Sequence, residues 1–600
     1  MSRIVVLDKE LCNPGKCNYL CISTCPKNRS GEKCITKDEK SFHEESKLPY
    51  PRIDENICIG CALCSKRCSF KALKVVNLPE AIKEEPIFQY GVNGFRLFRL
   101  PILTKGIIGI LGENGTGKTT AINILAGNIK PNLGREEANW NEIIKLYRGT
   151  ELYNYLKMLA ENKARVSFKK QQPDELLRDF KSLDEIGLKE TFIEKFNIDT
   201  KNKNLSQLSG GELQKIAIAS ALSKDADIYF LDEPSSFLDI RERLNIAKII
   251  RKFSEKEEKT IVLVEHDLAV LDYLADKIHI TFGEPGAYGI VSNSYSTRQG
   301  INAFLNGYLK SENVRIGEPI RFLEFEEKRE WKEKLITFTK IEKRFENFHL
   351  IVEPSEIYRG EILTIFGANS LGKTTFAKIL AGILDFEGEI LTNIKVSYKP
   401  QYISSINSEA SVENVLEEIK EKVKKEIREE KNEKNEEEVR QAIEDLERIF
   451  NILIEKLELQ KIIHKKLKSL SGGELQRVAI ALCLMRNADL YLLDEPSAYL
   501  DVKQRMSLIK IIKNFGKSIA IIDHDITLLS SLSYRAMLFS GIPKVNGHAK
   551  ILLLDEALNE FLKELGITFR LDEETRRPKP NKPNSVKDRE QKERNKYFDR

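Results

Sequence analysis

The sequence predicts an α/β protein in which one phosphate-loop nucleotide-binding domain occurs twice, in tandem, behind a short cysteine-rich N-terminal domain. Three observations carry this. Nine of the ten cysteines precede residue 69; the glycine-rich string Gly112-x4-Gly117-Lys118-Thr119 returns as Gly367-x4-Gly372-Lys373-Thr374; and an uninterrupted apolar run leads into each string, as a strand buried on both faces would. At 600 residues the chain has room for about four average domains, and 41% hydrophobic with 31% charged residues excludes disordered and collagen-like chains. There is no unbroken apolar run of about 18 residues, and residues 1–12 hold no apolar signal core, so a cytoplasmic protein without a membrane span is expected.

The cysteines run Cys12-x4-Cys17-x3-Cys21-x3-Cys25-Pro26 and Cys58-x2-Cys61-x2-Cys64-x3-Cys68. The second run has the ligand spacing of a two-cluster ferredoxin, in which the fourth cysteine reaches the other cluster. Cys58, Cys61, Cys64 and Cys25 are therefore expected to hold one 4Fe-4S cluster, and Cys12, Cys17, Cys21 and Cys68 the other. Two four-cysteine zinc sites are the competing reading; disulfides would need an oxidising compartment that nothing here suggests. Cys68 is followed by Ser69 where the ferredoxin run has proline, and Cys34 is left over as a packed thiol. The formal net charge is +5, but residues 1–75 are net +5, residues 576–600 net +6 and the remainder net −6. A polyanionic partner is thus expected at the ends, although solubilising tails have the same composition and the N-terminal cations also neutralise cluster charge.

The strands at 107–111 and 362–366 feed glycine-rich turns and then helices. Backbone N–H groups converge on phosphates there, the lysine reaches the outer phosphates and the threonine hydroxyl binds Mg²⁺. The candidate ATP contacts are Gly112, Asn114, Gly115, Gly117, Lys118, Thr119 and Thr120, and in the second copy Gly367, Asn369, Gly372, Lys373, Thr374 and Thr375. Downstream stand Leu208-Ser209-Gly210-Gly211-Glu212 and Leu470-Ser471-Gly472-Gly473-Glu474. In each copy, 24 residues after that serine, an apolar strand ends in an acid pair, Asp232-Glu233 and Asp494-Glu495. Asp239 and Asp501 follow, and His266 and His524 end further apolar strands.

This five-element order, repeated at a period of about 260 residues, resembles the ATP-binding-cassette ATPases. With the cysteine-rich N-terminus, Cys12-Asn13-Pro14-Gly15-Lys16-Cys17, and the basic C-terminus, nearly the whole chain is similar to the ABC-E family, also called the RNase L inhibitor family, the ribosome-recycling ATPases. The resemblance implies a ferredoxin-like domain at 1–75, a first cassette at 76–311 with a helix-loop-helix insertion at 139–165, a hinge at 312–325, a second cassette at 326–565 and a basic hinge segment at 566–600. It implies Gln171 and Gln401 as Q-loop residues that join Thr119 and Asp232, or Thr374 and Asp494, around Mg²⁺, with Gln172 a rival in the first copy. Tyr90 and Phe345, each 28 residues before the loop lysine, are candidates for adenine stacking, with Phe95 and Phe348 as rivals.

The family further implies that each ATP is shared, Lys118's site with Ser471, Gly473 and Asp501, and Lys373's site with Ser209, Gly211 and Asp239. Glu233 and Glu495 would polarise the attacking water, and His266 and His524 would hold the γ-phosphate. Implied partners are the ribosome, mainly its small subunit, a release or rescue factor and initiation factors, with the protein a monomer whose cassettes pair internally. The implied function is ribosome splitting by ATP-driven closure that swings an iron-sulfur domain, the protein then staying on the small subunit; another soluble twin-cassette translation factor and an ATP-gated electron carrier are the alternatives. The Lys, Glu and Asn run at 420–440 reads as a solvated helix with i,i+4 ion pairs.

Overall fold

The computed structural model describes residues 3–79, 84–198, 204–322, 331–401, 409–430 and 436–599. The chain forms two compact units, one of Met1–Pro234, Ile250–His266 and Leu274–Pro319, the other of Ser235–Ile249, Asp267–Tyr273 and Ile320–Arg600. Segments 235–249 and 267–273 lie inside the span expected for the first cassette but fold with the second unit. The reason is apolar: Ile240, Leu244 and Ala269 are buried in one cluster with Phe366, Leu529, Phe561 and Phe598.

In the first unit, strands Arg3–Leu7 and Leu73–Asn77 pair antiparallel and close the N-terminal domain. Between them lie the strand pair Ile35–Phe42 and Pro49–Ile53 and four short helices, Pro14–Cys17, Leu20–Thr24, Pro26–Arg29 and Leu63–Arg67. Val5, Ile35, Ile53 and Leu73 form its core together with cysteines 12, 21, 25, 34 and 64. The following sheet runs Phe88–Gln89, Arg96–Phe98, Tyr288–Val291, Lys277–Glu284, Ile107–Gly112, Thr260–Val264, Ile228–Asp232, Val166–Lys169 in space. The second unit repeats that order with Ile341–Arg344, His349–Val352, Asn546–Leu553, Arg535–Ser540, Ile362–Gly367, Ser518–Ile522, Leu490–Asp494 and Val396–Lys399. In both, the phosphate-loop strand is flanked by parallel neighbours and every one of its residues is buried, which is why the two runs read as unbroken apolar stretches.

Residues 139–165 form helices Trp140–Leu146 and Leu152–Ala160, the first capped by Asn139. Ile143, Leu152 and Leu156 anchor them in the core of the first unit. The stretch 420–440 departs from the expected single solvated helix. Its described residues belong to two helices, Val412–Glu430 and Glu436–Lys456, whose Ile419, Val423, Ile427, Ala442, Ile443 and Leu446 make a common apolar seam; residues 431–435 lie outside the described residues. The expected i,i+4 pairs Lys425–Glu429 and Arg440–Glu444 are present, but Lys424–Glu447 joins the two helices.

The linker at 313–319 is held by a two-residue ladder between Tyr308–Leu309 and Val314–Arg315; residues 323–325 of the expected hinge lie outside the described residues. The C-terminal segment is folded. Strand Pro578–Pro580 pairs with Phe569–Leu571, and the helix Val586–Glu593 is capped by Ser585. Two cations of this basic tail are withdrawn from solvent, Arg577 against Asp272 and Lys579 against Asp572.

Candidate functional site

The N-terminal domain gathers its cysteines into two hollows. Cys12, Cys17, Cys21 and Cys68 line one, with Tyr19, Pro51 and Phe70; Cys25, Cys58, Cys61 and Cys64 line the other, with Cys34, Ile35 and Ile59. These are the two sets read from the spacing. Four thiolates around a single zinc ion would lie about 3.8 Å apart, from a Zn–S distance near 2.3 Å. Among the described residues no three His, Cys, Asp or Glu side chains converge to hold one ion. Burial, then neighbouring thiolates, pushes Cys12 and Cys21 up to about 12, and burial pushes Cys64 up to about 11. Such sulfurs ionise at neutral pH only against a bound cation. Cys34 sits at the second hollow as a buried thiol pointing to the Asp54 carbonyl at 3.9 Å.

Each phosphate loop turns into its helix at a glycine in left-handed backbone, Gly117 at φ 88° and Gly372 at φ 97°. A side chain at Gly117 would also strike Phe95 and Leu97, so only glycine fits. Lys118 donates to the Gly112 and Glu113 carbonyls at 3.0 and 2.8 Å, and Lys373 to Gly367 and Ala368 at 3.0 and 2.7 Å. The ammonium thus lies at the loop whose following helix N-terminus offers backbone N–H groups to an anion. Ser209 and Ser471 cap the helices Gly210–Ser223 and Gly472–Leu484 through capping boxes with Glu212 and Glu474.

The acid pair closes each site. Thr374 Oγ1 donates to Asp494 at 2.9 Å. Oδ1 of Asp494 is buried without a hydrogen-bond partner and the buried Asp232 carboxylate lies beside the Thr119 hydroxyl, an arrangement a divalent cation would complete. Burial and the adjacent Glu233 push Asp232 up to about 7; burial and Glu495 push Asp494 up to about 6. Glu495 is itself buried, which raises it, but His524, Lys373 and Gln401 outweigh burial and hold it down at about 2.

Gln171 Nε2 donates to Glu233 Oε1 at 2.7 Å and Gln401 Nε2 to Glu495 Oε1 at 2.7 Å, while Gln172 precedes a short 3₁₀ turn instead. His266 and His524 place Nε2 3.4 Å from the same carboxylate oxygens. Both glutamates have φ near +48°, a left-handed backbone that costs a non-glycine residue roughly 1–3 kcal/mol and persists only where its surroundings impose it. Within the second unit, Asp239 accepts from the Asn369 N–H at 2.7 Å and thereby touches the second phosphate loop.

Tyr90 and Phe345 are 47% and 46% exposed, and the Tyr90 hydroxyl lies 3.3 Å from Thr120 Oγ1, so a flat ligand can reach both rings. Their rivals are packed beneath the loops: Phe95 abuts Gly117, and Phe348 abuts Gly372. The Tyr90 loop is also bolted to the cysteine domain. Asn93 exchanges two hydrogen bonds with the Ile53 backbone at 2.9 and 3.0 Å, its carbonyl accepts from Leu7 at 2.8 Å, and Arg96 forks onto Glu55 at 2.9 Å. Asn93, Arg96 and Glu55 were not legible as functional. Neither were Lys169, Lys399, Gln214 and Gln476, although an overlay of the two repeats shows lysine two residues before each Q-loop glutamine and glutamine two residues after each signature glutamate.

Two parallel-stranded phosphate-loop domains with signature, acid pair and switch histidine, joined to a double four-cysteine domain, define a twin-cassette ATP-binding protein with an iron-sulfur domain. The ABC transporter family matches residues 98–236 and 354–498, and a possible Fer4-like domain in RNase L inhibitor, RLI, matches residues 2–33. Translation initiation factor RLI1 of Saccharomyces cerevisiae is 37% identical, with 100% of this chain and 98% of the relative covered. A solved structure of ribosome-bound archaeal Pelota and ABCE1 is similar at 42% identity and TM-score 0.86, covering 100% of this chain and 99% of the other. One of the complex of archaeal ribosomal stalk protein aP1 and archaeal ribosome recycling factor aABCE1 is similar at 43% and 0.76, covering 86% and 99%. The chain belongs to the ABC-E, or RNase L inhibitor, family. Among the described residues no helix is long and apolar enough to cross a membrane.

Proposed function

We propose that the protein is a cytoplasmic, monomeric ribosome-recycling ATPase. It splits ribosomes into subunits after termination or rescue, and the small subunit retains it. The relatives named for ribosome recycling and translation support this reading, as does one observation within the first unit: the cysteine domain is hydrogen-bonded through Asn93 and Arg96 to the loop that presents Tyr90. Nucleotide at that loop therefore has a rigid route to the cysteine domain. Two 4Fe-4S clusters, held by Cys12, Cys17, Cys21 and Cys68 and by Cys25, Cys58, Cys61 and Cys64, would cross-link a small domain and stiffen it as a lever.

ATP binding closes the cassettes, with Mg²⁺ held by Thr119, Asp232 and Gln171 at one site and by Thr374, Asp494 and Gln401 at the other. Glu233 and Glu495 orient and polarise the attacking water, and His266 and His524 steady the γ-phosphate, so that hydrolysis to ADP and phosphate resets the open form. Moving a closure equilibrium from 1:99 to 99:1 takes about 5.5 kcal/mol, or about 2.7 kcal/mol per ATP. Two charge-assisted hydrogen bonds at about 1.5–3 kcal/mol each are sufficient. The test is sedimentation of purified ribosomes with a release or rescue factor, the protein and a nonhydrolysable ATP analogue. Free large subunits with the protein on the small subunit are expected, and intact ribosomes would overturn the reading. Glu495→Gln should bind ATP normally, fail to turn it over at that site and accumulate on small subunits.

A further inference from the structure

The catalytic acid pair is held from behind by a buried lysine and glutamine that occur in both repeats. Lys169 Nζ donates to the Asp232 carbonyl at 2.9 Å and lies 3.4 Å from that of Glu233; Lys399 Nζ donates to the Asp494 carbonyl at 2.7 Å and lies 3.4 Å from that of Glu495. From the opposite side, Gln214 Nε2 reaches the Glu233 carbonyl at 2.8 Å and Gln476 Nε2 the Glu495 carbonyl at 2.7 Å. The lysines are 2% and 1% exposed and the glutamines 0% and 2%. On the amide side, Glu233 N donates to Val264 at 3.0 Å and Glu495 N to Ile522 at 2.8 Å. Each glutamate, in its left-handed backbone, is thus fixed at both ends of its peptide frame, and only its side chain is directed into the site.

A full ammonium is a costly way to satisfy two strand-end carbonyls, and its repetition in both copies at the same register, opposite Leu231 and Leu493, argues for a task. We infer that Lys169 and Lys399, with Gln214 and Gln476, are positioning residues for ATP hydrolysis. They hold the carbonyls of the acid pair so that Glu233 and Glu495 keep the kinked backbone that aims their carboxylates. Lys169 also lies 3.3 Å from the Gln171 carbonyl, and Gln214 and Gln476 sit on the signature helices. The Q-loop and the signature helix thereby act on the glutamate through one clamp.

The inference rests on the roles proposed for Glu233 and Glu495, and the experiment separates the two. In full-length, cluster-loaded protein, Lys399→Met keeps the length of the side chain and removes its charge and donors; Gln476→Leu removes the second donor from the same carbonyl. Each is expected to lower kcat of the second site, read in a Glu233→Gln background, by 10- to 100-fold. KM for ATP and the affinity for a nonhydrolysable analogue should stay within threefold, and affinity for ADP–aluminium fluoride should fall in step with kcat. The double variant should lose less than the product of the two single losses, because both act on one peptide. A kcat within twofold of the parent in both single variants would overturn the inference, as would a loss of analogue affinity and melting temperature that tracks the loss of kcat. If Glu495→Gln itself still hydrolyses ATP in that background, the role of the glutamate fails first.

Discussion

Asn93→Ala tests the joint between the nucleotide loop and the cysteine domain. The side chain is 3% exposed and satisfies both the N–H and the carbonyl of Ile53. Truncation leaves two buried backbone groups without partners, at about 1–3 kcal/mol each. Asn93 also has φ 55°, where alanine is less tolerant than asparagine by about 1 kcal/mol. The loss at the joint is therefore about 3–7 kcal/mol, or at least 100-fold in the opening equilibrium, while the sheet of the first cassette is untouched. Hydrogen exchange is the direct assay. The amides of Leu7 and Ile53 should exchange at least 100-fold faster, those of Ile107–Gly112 at the parent rate, and the iron-sulfur absorbance should be retained. Subunit splitting should fall more than tenfold. Exchange at Ile53 that rises less than threefold, or rises equally in the central strand, would refute the mechanical reading of this contact.

Replacing Cys61, an exposed wall residue of the second hollow, by serine should lower iron content and abolish splitting while leaving basal ATP turnover within twofold; iron assay and the two rates measured together check this. Nucleotide-free stability should fall as pH rises from about 4 to about 6 through Asp494 and to about 7 through Asp232. An acid whose folded pKa exceeds its unfolded one binds its proton more tightly when folded, so its stabilisation is complete below the unfolded value and disappears above the folded one. Glu495 acts in the opposite sense, but only below about 4.5. Thermal melts at pH 4.5 and 7.5 should therefore show Mg²⁺ stabilising the protein more at the higher pH, and Asp494→Asn should flatten the second-site share of that difference.

How the cysteines divide illustrates what can be read in one dimension. The spacing of Cys58, Cys61 and Cys64 forces three sulfurs onto one short wrap, and the two hollows follow that partition, Cys68 included, even without the expected proline after it. The phosphate loops, signatures and acid pairs are legible for the same reason: their chemistry is set by neighbours within a few residues. Tyr90 and Gln171 are intermediate, since spacing reaches their vicinity, but only the exposed ring and the 2.7 Å bond to Glu233 separate them from Phe95 and Gln172.

The run at 420–440 departs from the expectation because two of its three apolar residues, Val423 and Ile427, find their seam with Leu446 on the following helix. Likewise, nothing local announces that 235–249 and 267–273 fold with the second unit, since Ile240 and Ala269 are buried in one cluster with phenylalanines about 100 residues or more away. By itself the sequence determined the tandem phosphate-loop repeat and the partition of the cysteines into the sets that line the two hollows, because short-range spacing encodes each of them. Tertiary structure alone decided which buried lysines hold the acid pair, how Asn93 ties the nucleotide loop to the cysteine domain, and where the tail's cations are spent. These are contacts between surfaces distant along the chain, whose partners are selected by packing and by the need to satisfy every buried polar group.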